Sequence, residues 1–294
     1  MQLLINQLSK TYPNGTKALN NVNLHIDKGM FGLLGPNGAG KSTLMRTIAT
    51  LQEPDSGTAT IGDINILENP MGLRKILGYL PQSFGVYPKM TAKKLLHYFA
   101  ALKGIASTKE RNRMVDYVLD ITNLTKVKNR EVARYSGGMR QRFGIAQLLL
   151  NKPELIIVDE PTAGLDPAER HRFLNVLRAL GKDHIVLFST HIVDDVKDLC
   201  TDMGIMNNGA ILLKESPQSA VNRLEGKIWK KTIEPEALEA HEQQYKVVSS
   251  NFEQNNLLNI KVLSDSSPNE EFTSVPTELE DVYFTLLNGL VTSD

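Results

Sequence analysis

The segment Gly35-Pro36-Asn37-Gly38-Ala39-Gly40-Lys41-Ser42 decides the fold of this 294-residue chain. It has the pattern G-x-x-x-x-G-K-[S/T], with the apolar run Met30–Leu34 before it and a predicted helix, Ser42–Leu51, after it. Glycines let successive backbone N–H groups turn inward around phosphates, and the start of the helix adds its dipole. The segment therefore predicts a phosphate-binding P-loop in which Lys41 reaches the terminal phosphates and Ser42 ligates Mg²⁺. The other interpretation is an ordinary glycine-rich turn between a strand and a helix.

A second apolar strand, Leu155–Val158, runs directly into the two acids Asp159 and Glu160. Buried strands rarely end in paired carboxylates unless these meet a cation or water. We expect Asp159 to hold Mg²⁺ through water and Glu160 to polarise the attacking water. The pair by itself is a weak signal, because many surface strands end in Asp-Glu. It becomes a strong signal when it follows a P-loop.

A third motif, Tyr135-Ser136-Gly137-Gly138-Met139, opens a helix with a serine cap and two glycines. A helix start of this kind binds anions through its free backbone N–H groups and its dipole. The alternative is an ordinary N-cap followed by flexible glycines. The motif taken alone does not decide between the two.

Strands and helices alternate over much of the chain, which predicts a mostly parallel sheet covered on both faces by helices. The pattern between 91 and 150 is helical, and Asn208-Gly209 predicts a β-hairpin. The composition shifts beyond about Ser216 to short strands and a few helices. We predict that Thr277, with Glu280 three positions on, caps the last helix.

The composition excludes several classes of protein. Lys and Arg total 33 and Asp and Glu total 33, and a zero net charge argues against nucleic-acid binding by bulk charge. The single Cys200 excludes an internal disulfide framework. No apolar run approaches the roughly 18 residues of a membrane span, and the N-terminus lacks the pattern of a secretion signal. We therefore expect a cytosolic protein that needs another chain to act across a membrane.

The order of these motifs resembles the ATP-binding cassette (ABC) family of transporter ATPases. The shared order is the P-loop, Gln82, the Ser-Gly-Gly helix start, the Asp-Glu strand, Ala163–Asp166 and Ser189–His191. The resemblance covers roughly residues 1–215. It implies an α/β fold: a RecA-like P-loop NTPase core with an N-terminal antiparallel β subdomain and a helical subdomain inserted at about 84–150. Residues 216–294 form a small C-terminal α/β appendage that could regulate, dimerise, bind a partner or pad the core.

The resemblance also implies roles for residues outside the main motifs. Tyr12 resembles the aromatic residue on which adenine stacks, and Gln82 resembles the switch glutamine that touches Mg²⁺ and water. His191 resembles the switch histidine that contacts the γ-phosphate, and Asp166 resembles the acid that bridges two subunits. Without the resemblance these are a turn tyrosine, a loop glutamine, a structural histidine and a helix cap.

Three groups of site residues follow. The nucleotide-binding group is Tyr12, Gly35, Pro36, Asn37, Gly38, Ala39, Gly40, Lys41, Ser42, Thr43, Ser136, Gly137, Gly138 and Asp166. The catalytic group is Glu160, His191 and Gln82. The Mg²⁺ group is Ser42, Gln82 and Asp159.

The function implied by the resemblance is that of the ATP-binding and hydrolysing subunit of an ABC transporter. ATP lies between the P-loop of one subunit and the Ser-Gly-Gly segment of a second in a head-to-tail dimer, which we expect to be a homodimer. Its closure acts on a separate membrane permease, which holds the subunit at the inner face of the cell membrane. No nucleic-acid partner is expected. The alternative, a soluble ABC ATPase acting on ribosomes or DNA, usually has two cassettes, coiled-coil insertions or zinc cysteines.

Two features point to a branch of the family and to a partner surface. Met139 stands where the family usually has Gln, and with Arg140 and Arg142 it resembles the branch that serves ABC-2-type exporters. The C-terminal appendage, with Pro276–Tyr283 near its end, also resembles that branch. We hypothesise that Phe84, Val86 and Tyr87, just past Gln82, form part of the permease contact, and they could equally fill the core of the helical subdomain.

Overall fold

The computed structural model describes residues 1–85, 87, 89–253 and 255–291. The strands are β1 (Leu3–Thr11), β2 (Lys17–Ile26), β3 (Gly29–Leu34), β4 (Ser56–Ile61), β5 (Ile64–Asn65), β6 (Leu77–Leu80), β7 (Leu155–Asp159), β8 (Ile185–Thr190), β9 (Asp202–Asn207), β10 (Ala210–Glu215), β11 (Ile228–Ile233), β12 (Val247–Phe252), β13 (Leu258–Leu263) and β14 (Thr273–Ser274). The α-helices are α1 (Lys41–Ile48), α2 (Pro70–Ile76), α3 (Ala92–Leu102), α4 (Thr108–Ile121), α5 (Gly137–Leu148), α6 (Pro167–Leu180), α7 (Val193–Leu199), α8 (Pro217–Arg223), α9 (Leu238–Gln244) and α10 (Leu279–Leu287).

The central sheet has six strands in the order β10-β9-β3-β8-β7-β6. All neighbours are parallel except the β9–β10 hairpin, which forms around Asn208-Gly209 as predicted. Strands β7 and β8 are continuous apolar runs because both of their faces are buried. The carboxyl ends of β3, β7 and β8 therefore lie side by side at one edge of the sheet. Ligands bind at this edge in open α/β sheets.

A second, antiparallel sheet has the order β2-β1-β4-β5. Its apolar residues, such as Leu3 and Ile5, share one buried cluster with Leu44 of α1 and with Leu33 and Ile157 of the central sheet. The N-terminal sheet is therefore fixed to the central one through the helix that follows the P-loop. The predicted fold class, with its antiparallel N-terminal subdomain, is confirmed.

The helices α3, α4 and α5 form the part of the chain between β6 and β7. Apolar side chains such as Leu96, Val118 and Phe143 are fully buried in the large cluster that also holds the second face of the central sheet. Burial of each such side chain stabilises the fold by about 2 kcal/mol. Helix α5, which begins at the Ser-Gly-Gly motif, packs against α3, α4 and α6.

The C-terminal residues form a separate sheet with the order β12-β13-β11-β14. The last helix, α10, packs on α7, α8 and β12 and ends at Leu287. The predicted cap was wrong by one residue. Glu278 caps α10 in a reciprocal pair with Asp281, because the buried Thr277 hydroxyl instead donates to the carbonyl oxygen of Leu224 at 2.8 Å.

Candidate nucleotide site

A cleft of about 550 Å³ opens where the carboxyl end of β3 meets the N-terminal sheet. Its lining consists of Tyr12, Thr16, Lys17, Ala18, Asn37, Gly38, Gly40, Lys41, Ser42, Thr43, Gln82, Glu160 and Asn208. We call this space the P-loop cleft. It combines residues of the P-loop, both neighbouring sheets and the end of β7.

Two glycines of the P-loop, Gly35 and Gly40, have no room for a Cβ atom. Gly40 has a φ of +106°, and a Cβ there would lie 2.3 Å from the carbonyl oxygen of Ala18. A Cβ on Gly35 would lie 2.3 Å from the carbonyl oxygen of Met206. The loop is therefore seated closely on β2 and β9. Gly40 is also the N-cap of α1 and has no side chain, so the first N–H groups of the helix stay available for an anion.

Lys41 places a buried ammonium group beside the loop. Its side chain is 3% exposed, and Nζ donates to the carbonyl oxygens of Gly35 at 2.7 Å and Pro36 at 3.0 Å. The same Nζ lies 3.1 Å from Oε1 of Glu160. Phosphate oxygens are strong acceptors for such an ammonium group. A phosphate bound in the cleft can therefore compete with Glu160 for the ammonium group of Lys41.

Glu160 brings the three predicted catalytic residues together. Its Oε2 lies 3.4 Å from Nε2 of Gln82, which donates to it, and 3.6 Å from Nδ1 of His191. The backbone of Glu160 has a φ of +44°, which is uncommon for a residue with a side chain. Its N–H donates to Oγ of Ser189 at 2.9 Å. The left-handed turn ends β7 and directs this carboxylate into the P-loop cleft.

Asp159 is buried behind Glu160 and accepts two hydroxyl donors on one oxygen. Its Oδ1 lies 3.2 Å from Oγ of Ser42 and 2.7 Å from Oγ of Ser189. Burial raises the pKa of the nearby Tyr79, and the negative charge of Asp159 raises it further. A hydroxyl and a carboxylate side by side are oxygen donors of the kind that Mg²⁺ prefers. Among the described residues, no group of three or more His, Cys, Asp or Glu side chains is placed to hold a metal ion.

Tyr12 lies at the other side of the P-loop cleft. Its hydroxyl group is 3.1 Å from Oγ1 of Thr43 and donates to Oε1 of Gln52 at 3.2 Å. Gln52 in turn donates to the carbonyl oxygen of Thr43 at 3.0 Å. The ring of Tyr12 therefore lies close to α1 and lines the P-loop cleft, and its contact with adenine stays a prediction.

The Ser-Gly-Gly segment and Asp166 lie elsewhere. Within the part of the chain that the structure describes, the lining of the P-loop cleft includes neither. Ser136 Oγ accepts the N–H of Met139 at 3.2 Å, and Asp166 Oδ1 accepts the N–H of Glu169 at 2.9 Å. Both residues thus cap helices, and both are exposed to solvent. Their predicted nucleotide and dimer contacts stay predictions.

Two features of the site were not predicted from the sequence. Ser189 donates to Asp159 and accepts from Glu160, and it pairs in register with Asp159 across β7 and β8. A polar residue at the end of the adjacent parallel strand was the signal that could have revealed it. The second is Asn208, whose hairpin reaches the P-loop because the N–H of Gly209 donates to the carbonyl oxygen of Ala39 at 2.9 Å. Nothing local in the sequence indicates that contact.

The described residues contain no helix long and apolar enough to cross a membrane.

The family model described as "ABC transporter" matches residues 19–163. The chain is 39% identical over 213 residues to the uncharacterized ABC transporter ATP-binding protein YxlF of Bacillus subtilis, over 72% of this chain and 70% of YxlF. The linearmycin resistance ATP-binding protein LnrL of the same organism is 33% identical over 221 residues, over 74% of this chain and 70% of LnrL. A solved dimeric ATP-binding cassette in a post-hydrolysis state with ADP and Pi is similar with a TM-score of 0.66 and 27% identity, over 73% of this chain and 98% of that one.

Proposed function

The chain belongs to the ABC transporter family of ATP-binding proteins, and we propose that it is the ATPase subunit of an ABC-2-type exporter. Members of this family bind and hydrolyse ATP, dimerise and work with a membrane permease. The observation that carries the proposal is the P-loop cleft, in which the buried ammonium of Lys41 faces the carboxylate of Glu160. The finer assignments below are part of the same proposal.

The Lys41–Glu160 pair suggests how ATP binding would free Glu160 to act as the general base. The phosphates of ATP compete with Glu160 for Lys41, because a multiply charged anion is the stronger partner of an ammonium group. Glu160 then becomes free to accept a proton from the attacking water. Gln82 and His191, which already lie beside Glu160, hold that water and the γ-phosphate in place. Backbone N–H groups at the start of α1 stabilise the negative charge on the phosphates.

The Mg²⁺ group of residues is Ser42, Asp159 and Gln82. When bound with ATP, Mg²⁺ neutralises part of the phosphate charge. The residues fit this ion, because the hydroxyl of Ser42 and the carboxylate of Asp159 are adjacent oxygen donors. Ser189 orients Asp159 through its hydrogen bond. Ser42, Asp159 and Ser189 thus place several side-chain oxygen atoms beside the P-loop.

The proposed dimer arrangement is supported by the position of the exposed Ser-Gly-Gly motif. Ser136 and Gly137 are exposed, outside the P-loop cleft of their own chain. In a head-to-tail dimer, they would cover the phosphates bound by the second copy. ATP then closes the dimer and its hydrolysis weakens the closed state, which is a ligand-driven shift of population. We propose a homodimer on this basis.

The export role is supported by the motif variant and by the relatives. The Gly138-Met139 pair followed by Arg140 and Arg142 is the feature that resembles the ABC-2 branch. LnrL is named for resistance to linearmycin. Resistance that depends on an ATP-binding protein is most simply explained by export. We place the protein at the inner face of the cell membrane, bound there through its permease, and we divide it into an ABC ATPase unit (1–215, helical part about 84–150) and an accessory unit (216–294).

The permease contact is proposed to lie on the helical part, next to Gln82. Tyr87 is 51% exposed, and its ring lies 6.0 Å from that of Tyr98, which is 44% exposed. Leu102 on the same helix is also exposed. Phe84 instead packs partly into the core against Gly144, which favours a structural role for it. Val86 lies outside the described residues.

The test of the function is a pull-down of tagged Glu160→Gln protein from detergent-solubilised membranes with and without ATP. We expect a protein with several membrane spans to co-purify. Lys41→Ala protein serves as the matched control that cannot hold the nucleotide-bound state. Recovery of ribosomal or DNA-bound proteins without a membrane protein would overturn the transport role while leaving the ATPase in place.

The contact surface is tested with Tyr87→Glu in the same pull-down. We expect this substitution to lower permease recovery several-fold, because it buries an unpaired charge in an apolar contact. Tyr117→Glu, at a tyrosine of similar exposure on α4, is the control. Equal recovery with the two folded variants would contradict the proposed surface.

A further inference from the structure

A fully buried carboxylate lies behind the site and is not used by the chemistry described so far. Asp195, in the first turn of α7, is 0% exposed. Its Oδ2 accepts the hydroxyl of Thr162 at 2.7 Å and that of Thr190 at 3.3 Å. Its Oδ1 accepts Nε of Arg170 at 2.6 Å. One side chain thus joins the turn at Thr162, the first turns of α6 and the end of β8.

The Thr190 branch leads to the proposed γ-phosphate contact. Thr190 is buried at the end of β8, directly before His191. Its hydroxyl donates to Asp195 and accepts the N–H of Ile192 at 3.0 Å, so both sides of His191 are fixed. The carbonyl oxygen of Thr190 also accepts the N–H of Gly35, at the start of the P-loop.

The Thr162 and Arg170 branches lead to the proposed dimer contact. Thr162 begins a turn in which its own carbonyl oxygen accepts the N–H of Leu165. Leu165 is the residue directly before Asp166. Arg170 lies in the first turns of α6, and its N–H donates to the carbonyl oxygen of Asp166 at 2.9 Å. Asp195 therefore holds the turn before Asp166 from one side and the helix after it from the other.

An ordinary structural role does not account for this choice of residue. A buried charge costs free energy of desolvation, and a well-packed apolar side chain commonly stabilises such a position at least as well. A carboxylate differs from an apolar side chain in that its two oxygens can accept several donors from separate loops at one point. All three donors lie on segments that carry His191 or Asp166 or adjoin them.

We propose that Asp195 is a positioning residue that locks the His191 turn and the Asp166 turn into one unit. The contact to the γ-phosphate and the contact to the second subunit then move together. The loss of this lock lowers turnover with little effect on ATP binding. Asp195 accepts the hydroxyl of Thr190, whereas the P-loop is held by the backbone carbonyl of Thr190, which does not depend on that hydroxyl. The inference rests on the proposed roles of His191 and Asp166.

The experiment measures kcat and KM for ATP of Asp195→Asn in the full chain. An amide has a single acceptor oxygen and adds donors that face other donors, so both turns loosen. We expect kcat to fall about tenfold while KM stays within about twofold. Asp194→Asn removes an exposed carboxylate from the same turn of α7 and is the matched control, with kcat unchanged.

A second pair of variants keeps the test decisive if Asp195→Asn does not fold. Thr162→Val and Thr190→Val retain the side-chain shape and remove one hydroxyl each. We expect each to lower kcat several-fold, and the two together to have less than a multiplicative effect, because both act through Asp195. Unchanged kcat in both folded single variants would overturn the inference.

His191→Ala separates this inference from the proposed function. If His191→Ala lowers kcat while the Thr162 and Thr190 variants do not, only the lock is wrong. If His191→Ala leaves kcat unchanged, the proposed role of His191 fails, and the lock has no catalytic group to position. A fall of kcat in all of these variants supports both.

Discussion

Two helices in the described part of the chain, α1 and α5, begin beside glycines, and the surroundings of the two helix starts differ. The start of α1 is surrounded by groups of its own chain, among them the buried Lys41 and the carboxylate of Glu160. The start of α5 has an exposed Ser136 and an exposed Gly137, and it lies outside the P-loop cleft. Both helix ends suit an anion, but only the first is enclosed in a cleft within one chain. The comparison supports the proposal that this chain builds one wall of its site around the start of α1, the enclosed wall, and offers the start of α5, the exposed wall, to a second copy.

The largest expected effect on turnover is that of Glu160→Gln, which removes the carboxylate of the enclosed wall. We expect kcat to fall about 10² to 10⁴-fold, because the general base is lost while the shape is kept. ATP binding is retained, so the dimer is trapped with nucleotide. Turnover assays and the mass in solution with ATP check this prediction. A turnover near that of the unmodified protein would remove Glu160 from the role of base.

The next effect is expected from Lys41→Ala, which removes the charge of the enclosed wall. We expect ATP affinity to fall about tenfold to hundredfold, since the phosphates lose a charge-assisted partner. Equilibrium binding of ATP measures it, and the melting temperature is the control for folding. An unchanged affinity would contradict the placement of the phosphates beside Lys41.

A smaller effect is expected from Gly137→Asp, which alters only the exposed wall. A Cβ at Gly137 meets Leu165 at an ordinary 3.4 Å, and an acid in the first turn suits the helix dipole, so the monomer stays folded. The new negative charge repels the phosphates of the second copy. We expect kcat to fall about tenfold or more, with unchanged ATP affinity of the monomer.

The neighbouring glycine supplies the control for that prediction. A Cβ on Gly138 would lie 2.6 Å from the Cβ of Glu169, so Gly138→Ala should lower the free energy of unfolding by about 1 to 3 kcal/mol. Thermal or denaturant unfolding distinguishes the two variants. If Gly137→Asp unfolds as readily as Gly138→Ala, the exposed wall is a structural feature and not a binding surface.

The smallest effect is expected from Tyr135→Phe, just before the exposed wall. The Tyr135 hydroxyl donates to the carbonyl oxygen of Val127 at 2.9 Å, and burial raises the pKa of Tyr135 to about 12. Removal of this hydrogen bond should lower the free energy of unfolding by about 1 kcal/mol and leave kcat unchanged. Denaturant unfolding and turnover assays check both. A change in kcat would mean that Tyr135 acts on the nucleotide contact.

The enclosed wall was more predictable from the sequence than the contacts behind it. The P-loop and the Asp159-Glu160 strand end were found because strand, turn and helix are local patterns. The order of the motifs then predicted the family and the fold class, and both predictions are confirmed. The register that places Ser189 beside Asp159, and the hairpin that brings Asn208 to the cleft, depend on strand neighbours far apart in sequence. The cap of α10 was missed because Thr277 found a partner in Leu224, 53 positions away.

The most direct test of the two-wall account mixes two impaired variants at an ATP concentration at which each has little activity alone. Lys41→Ala has a defective P-loop and an intact Ser136–Gly138 segment, and Gly137→Asp has the reverse. A head-to-tail dimer of one with the other contains one intact site, so an equimolar mixture should recover up to about a quarter of the unmodified ATPase activity. Activity equal to the sum of the separate variants, in a mixture that still dimerises, would contradict a site shared between two copies.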